Sequence, residues 1–299
     1  MNPNSDKSWS GKTRGGTAGY LFFIFLIKAI GIKAGYAFLW CVVPYFIPFA
    51  PKATASVWHF ARKRLGYGML RSVRFLFLNY YRLGQTLIDK VAIGSGKKSE
   101  YSFCFSEIYP EFLRLLDGDT GVIMIGAHIG NWETGAPFFE DYGKKMNIVM
   151  FDAEYRRIKK VLEKNTDERN YKVIPVNEDN LAHVFRIKEA LDQKEYVCFQ
   201  GDRHVGGSPV LRTKFLGEEA SFPAGPFLLV SRMAVPVVFY FAMREKGMSY
   251  RFCFFPAAPV RREKGGKPEQ ELLRQYVGAL EAMIQKYPEQ WFNYYDFWK

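Results

Sequence analysis

From residue 121 to residue 255, short apolar runs alternate with segments of helical periodicity. This alternation narrows the fold more than any other feature of the chain. It predicts strands over 121–126, 147–151, 172–176 and 195–200, separated by helices over 131–142, 154–168 and 180–192. A helix over 224–233 and strands over 235–242 and 250–255 continue the pattern. Such an order specifies an α/β protein with a single mixed, largely parallel sheet flanked by helices. Helix 180–192 is expected to bury Leu181, Val184, Phe185 and Leu191. A last amphipathic helix spans 269–287, and an aromatic tail over 291–298 needs a place to pack. Earlier helices are expected over 54–66, 69–91 and 107–116. In the second of these Leu70, Val73, Phe77, Tyr80 and Leu83 recur at helical spacing, fitting either core packing or an acyl-chain groove. No Pro-, Gly- or Ser-rich linker divides 100–299, so one domain over 51–299 is expected behind an arm and anchor over 1–50.

The turn after the first of these strands holds the chemistry. It reads Gly126-Ala127-His128-Ile129-Gly130-Asn131-Trp132-Glu133. Asn131 suits a helix N-cap, with Glu133 in the first turn. Two residues five apart on one helix would point roughly 140° away from each other. His128 and Glu133 can therefore meet only if His128 lies on the turn, and the glycines permit such a bend. An imidazole there can remove a proton from a hydroxyl near neutral pH, and a carboxylate on its other nitrogen fixes the tautomer. The spacing alone carries little weight; the strand-to-helix turn carries the reading. A second turn, Gly201-Asp202-Arg203, also follows a strand, where ligands of α/β proteins bind. Arg156 and Arg157 open a helix and can clamp phosphate or form a solvated face. Gly225, in Phe222-Pro223-Ala224-Gly225-Pro226, would offer backbone N–H groups to an oxyanion, or simply belong to a helix-initiating loop. Cys198 near His204 is a nucleophile pair on paper only, because Cys198 falls in an apolar strand.

His128-Ile129-Gly130-Asn131-Trp132-Glu133 resembles the His-x-x-x-x-Asp/Glu box of glycerolipid acyltransferases. Its Gly-x-His-x-Gly-Asn-Trp-Glu form is similar to the late acyltransferases of lipid A biosynthesis, the lauroyl/myristoyl transferase family. Gly201-Asp202-Arg203, Phe215-Leu216-Gly217, the stretch 222–226 and the tail 288–298 fit the same family. The resemblance implies a glycerolipid-acyltransferase-like fold, with His128 and Glu133 catalytic. It implies that Asp202 and Arg203 line the active site and that Arg156 or Arg157 contacts lipid; Asn131 and Gly225 are further substrate-binding candidates. It needs no metal and no cofactor. The donor it implies is an acyl-acyl carrier protein, with acyl-CoA as the other option. The acceptor it implies is a hydroxyl of a lipid A precursor, and related enzymes serve amino-acid lipids or aryl-polyene lipids.

Charge and the N-terminal region point to the same surroundings. The net charge is +12, which favours an acidic partner such as a carrier protein or an anionic membrane face. No nucleic-acid-binding motif accompanies it. Twenty-seven Phe and 18 Tyr suit a bilayer surface or a ring-rich core. The region 20–50 joins two apolar pieces with Lys28, Lys33, Pro44 and Pro48 between or within them. Neither piece makes a clean span of about 20 residues. A shallow membrane anchor is expected, with a single span as its rival. Arg62, Lys63, Arg64, Arg71 and Arg74 follow it and place the catalytic domain on the cytoplasmic side of the inner membrane. Cys41, Cys104, Cys198 and Cys253 are expected to be buried free thiols. The expected activity is O-acyl transfer. A lipid hydrolase and a non-catalytic lipid-binding protein are the competing classes.

Overall fold

A computed structural model describes residues 29–107, 109–135, 145–151, 171–176, 181–204, 207–260 and 266–298. The expected helix over 154–168, the end of that over 131–142, Arg156, Arg157 and the apolar piece over 20–27 lie outside these residues. Seven strands form one mixed, mostly parallel sheet. In chain order they are β1 (Ser102–Phe105), β2 (Val122–Gly126), β3 (Met146–Phe151), β4 (Tyr171–Val176), β5 (Tyr196–Gln200), β8 (Val237–Arg244) and β9 (Ser249–Pro256). Their spatial order is β1-β9-β8-β2-β5-β3-β4. Only the β8–β9 pair is antiparallel. A separate antiparallel hairpin joins β6 (Val210–Phe215) and β7 (Glu218–Pro223).

β2 sits mid-sheet, and its uninterrupted apolar run is explained by burial on both faces. Ile123 and Ile125 point into a core shared with α6 (Ala224–Val230) and α7 (Pro268–Lys286). Val122 and Met124 point the other way, into a core with Phe112 of α4 (Tyr109–Asp117). The alternation follows from the two-residue period of a strand. Helix α7 buries Leu272, Leu273, Tyr276, Val277, Leu280, Met283 and Ile284, the stripe read from its sequence.

Three helices precede the sheet: α1 (Ile32–Phe49), α2 (Pro51–His59) and α3 (Met69–Ala92). α2 continues as a wider π-type turn over Phe60–Arg64. α1 buries Ile32, Gly35, Leu39 and Val43, a stripe of helical spacing. Leu39 sits against Gly84 of α3, where an added Cβ would lie 2.6 Å from the leucine. Phe38, Tyr45 and Phe49 on the opposite face of α1, and Trp40 on its flank beside α3, are exposed.

Several expectations change. In the first half of α3 the buried positions are Ser72, Phe75, Leu76 and Asn79, whereas Leu70 is 87% exposed and Val73 55%. Leu70 and Val73 are therefore outer surface, whereas Phe77, Tyr80 and Leu83 further along the stripe are half-buried, with Tyr80 against the main core. α5 (Ala182–Asp192) buries Ile187, Ala190 and Leu191, while Leu181 and Phe185 are exposed. Cys198 and Cys253 are buried free thiols, but Cys104 is half-buried and Cys41 exposed, because Cys41 lies on the outward side of α1. The segment after the His128 turn begins as a 3-10 turn, Trp132–Gly135.

Candidate active site

Two turns at the carboxyl ends of neighbouring parallel strands meet in space. β2 delivers Ala127 and His128, and β5 delivers Gly201 and Asp202. Gly201 N donates to Gly126 O at 2.9 Å, which ties the turns together at their roots. Gly201 has no room for a side chain, since a Cβ would come within 2.9 Å of Ile125 and of Tyr276. The Tyr276 hydroxyl in turn donates to Gly126 O at 3.0 Å.

Both oxygens of Asp202 engage the same residue. His128 backbone N donates to Oδ2 at 2.8 Å, and His128 Nδ1 lies 2.8 Å from Oδ1. Asp202 is 2% exposed, while the imidazole retains 22% of its side-chain surface. Burial by itself raises the Asp202 pKa. The charge of His128, its hydrogen bonds and the charge of Arg203 outweigh burial and hold the carboxyl below its ordinary value. An ionised carboxylate only accepts hydrogen bonds, so Nδ1 carries a proton, and in the neutral form of the ring it is Nε2 that keeps the lone pair.

The His128 turn is pinned from three sides. Gly130 has φ +63°, and a Cβ there would fall 2.1 Å from Ala242 O. Asn131 N donates to Ala242 O at 2.7 Å. Gly130 N donates to Gln290 O, and Phe292 N to His128 O, both at 2.9 Å. The aromatic tail is thus a strap across both turns. Tyr295 donates to Asp202 O at 2.9 Å, and Arg203 Nη2 to Phe292 O at 2.8 Å. Trp291 is buried against Phe60, Phe215 and Phe297. Sequence reasoning required the tail to pack but held no signal for where.

The other candidates are placed as follows. Glu133 does not reach His128; it pairs with Lys90 of α3. The pinned backbone at 130 and 131 carries the 3-10 turn towards α3, and Asp202 occupies the place expected for the glutamate. Asn131 is buried, and its amide donates to Thr86 O and Tyr250 Oη, both at 3.3 Å. It holds the turn to α3 and β9. Arg203 is half-buried against the tail. Gly225 is exposed near the start of α6, where Ala224 N already donates to Pro209 O at 3.0 Å. Burial pushes the Cys198 thiol up, which removes it as a nucleophile. Among the described residues, no group of three His, Cys, Asp or Glu side chains is arranged to hold a metal.

The fold and these turns define an α/β protein with an imidazole–carboxylate pair at the carboxyl edge of a mostly parallel sheet. Residues 78–299 match the family described as bacterial lipid A biosynthesis acyltransferase. The match covers most of the chain, and the protein belongs to that acyltransferase family. No curated protein matches the chain.

Proposed function

We propose that the protein is a membrane-associated O-acyltransferase. It moves a fatty acyl chain from acyl-acyl carrier protein to a hydroxyl of a lipid A precursor or a related lipid. The observation that carries the reading is the grip of Asp202 on His128, within a chain of an acyltransferase family. Nε2 of His128 takes the proton of the acceptor hydroxyl as its oxygen attacks the thioester carbonyl. A C–O bond forms, the C–S bond breaks, and the proton held on the imidazolium passes to the departing thiolate. Asp202 keeps the tautomer and stabilises the imidazolium in between. Glu133, tied to Lys90, supports the wall of the turn. A thioester is already activated, so no covalent enzyme intermediate is needed.

The setting at a membrane is supported by the outer face of α1 and by the exposed Leu70 and Val73 of α3. Trp40 packs on Phe77 at 4.9 Å between ring centroids, joining the two helices into one apolar surface. Arg62, Lys63, Arg71 and Arg74 are exposed nearby in sequence, suited to anionic headgroups on the cytoplasmic side of the inner membrane. α1 has 18 residues, about 27 Å of helix, and its buried stripe lies on α3. That packing favours an anchor lying in the interface over a straight span.

Labelled acyl-acyl carrier protein supplied with candidate acceptors tests the class. New acyl-lipid is the expected product. Free fatty acid alone would make the protein a hydrolase, and neither product would make it a lipid-binding protein. Lipid mass spectrometry of a deletion strain tests the acceptor: a missing acyl chain on lipid A is expected, and loss from an amino-acid or aryl-polyene lipid would move the assignment.

A further inference from the structure

A cavity opens beside β8, lined in part by Lys33 of α1, Arg82 and Gln85 of α3, Tyr101, Arg244 and Lys246, with a volume of about 730 Å³. Arg244 lies two residues beyond Ala242, the residue that pins Gly130, so the cavity is roughly 7 Å further along the same strand. Its polar groups are unevenly matched. Asp89 is fully buried, and its carboxylate already serves Tyr36, Tyr101, Tyr250 and Arg244 Nε. Glu100, the acidic residue of the lining, pairs with Lys97 at 3.1 Å. Two guanidinium nitrogens remain without an acceptor. Arg244 is 3% exposed, its guanidinium lies over the Tyr36 ring at 5.0 Å, and its Nη2 is buried with no hydrogen-bond partner. Arg82 donates through Nη1 to Gln85, but its Nε is buried with no partner and lies 3.9 Å from Glu289, outside hydrogen-bond range. Lys33 and Lys246 stand exposed at the rim.

A buried charged donor left without an acceptor is costly, because it has lost its water without replacement. Two at one cavity, with two lysines outside, fit a tetrahedral phosphate anion, because guanidinium forks match phosphate oxygens. A carboxylate would leave part of this set unmatched. The volume exceeds a bare phosphate and leaves room for the group that carries it. We propose that this cavity binds a phosphate monoester or diester belonging to a substrate. The assignment to a substrate rests on the acyl-transfer reading; the binding itself does not. The phosphate has two possible sources, the headgroup of the acceptor lipid and the phosphodiester arm of the acyl donor.

The test uses full-length protein with inorganic phosphate and pyrophosphate as probes at constant ionic strength. Both are expected to raise the thermal midpoint above a chloride control. The double variant K33A/K246A, which changes only exposed side chains, is expected to weaken the apparent affinity by about tenfold. The variant R82Q, if folded, should weaken it further. No stabilisation, or stabilisation unchanged in K33A/K246A, would overturn the site. These readouts need no acyl transfer, so they decide the site even if the enzymatic reading fails. With transfer in hand, pyrophosphate inhibition competitive with lipid identifies the headgroup, and inhibition competitive with donor identifies the arm. Binding that competes with neither would overturn the assignment to a substrate.

Discussion

At the scale of residues, the site depends on two backbone positions and one carboxylate. Gly130 combines a left-handed φ with backbone oxygen where a Cβ would stand. Gly130→Ala should cost at least about 2–3 kcal/mol and displace His128, read as a lower denaturation midpoint with lost transfer. Asp202 gives a pH signature. Its folded pKa lies below the ordinary 3.8, so its contribution to stability is present above that value and lost as pH falls through the folded pKa. Urea midpoints measured from pH 5 to pH 3 should fall less steeply in Asp202→Asn than in the intact protein; parallel slopes would deny the shift. His128 was legible because its turn follows an apolar strand and carries Gly130. The link from Asp202 to His128 was not, because two turns 74 residues apart meet only through the pairing of β2 with β5. Both turns could be placed at strand ends from sequence, but neighbouring strands in a parallel sheet need not be consecutive in the chain.

At the scale of elements, the tail and the first helices hold the site from outside the sheet. Gln290 bridges the backbone of Arg244 through both its amide atoms, at 2.9 and 2.7 Å, while its carbonyl accepts from Gly130. Asn79 of α3 donates to Trp291 O at 3.0 Å. Gln290→Ala should therefore reduce transfer out of proportion to its effect on stability, measured as kcat against the thermal midpoint. α1 reaches the body through Leu39 on Gly84 and Tyr36 on Asp89. Asp89→Asn leaves Arg244 buried without its counter-charge and should cost about 3–5 kcal/mol in chemical denaturation. Long helices and buried strands could be read from period and apolarity, as with β2 and α7. β1 has four residues, and β6 and β7 carry charges that mask their alternation. Their hairpin turns through Leu216 and Gly217, both at positive φ, a conformation that leucine does not announce.

At the scale of the molecule, the proposed interfacial anchor serves a site at the carboxyl ends of β2 and β5. Removing residues 1–50 should weaken membrane association, and high salt alone should not release the intact protein, because apolar burial survives screening. Full-length protein recovered in the soluble fraction at ordinary salt would contradict this attachment. The direction of the apolar stripe on α3 could not be decided from its spacing, since a stripe facing lipid and one facing a core have the same period. The central claim, that His128 held by Asp202 is the base of acyl transfer, is tested most directly by kinetics. Purified His128→Ala, Asp202→Asn and Glu133→Gln, each shown to be folded, are compared with the intact protein. Loss of about 10²–10⁴-fold in kcat is expected for the first two, with a smaller loss for Glu133→Gln. Near-normal transfer by His128→Ala would contradict the account, and near-normal transfer by Asp202→Asn beside an inactive Glu133→Gln would return the orienting role to Glu133.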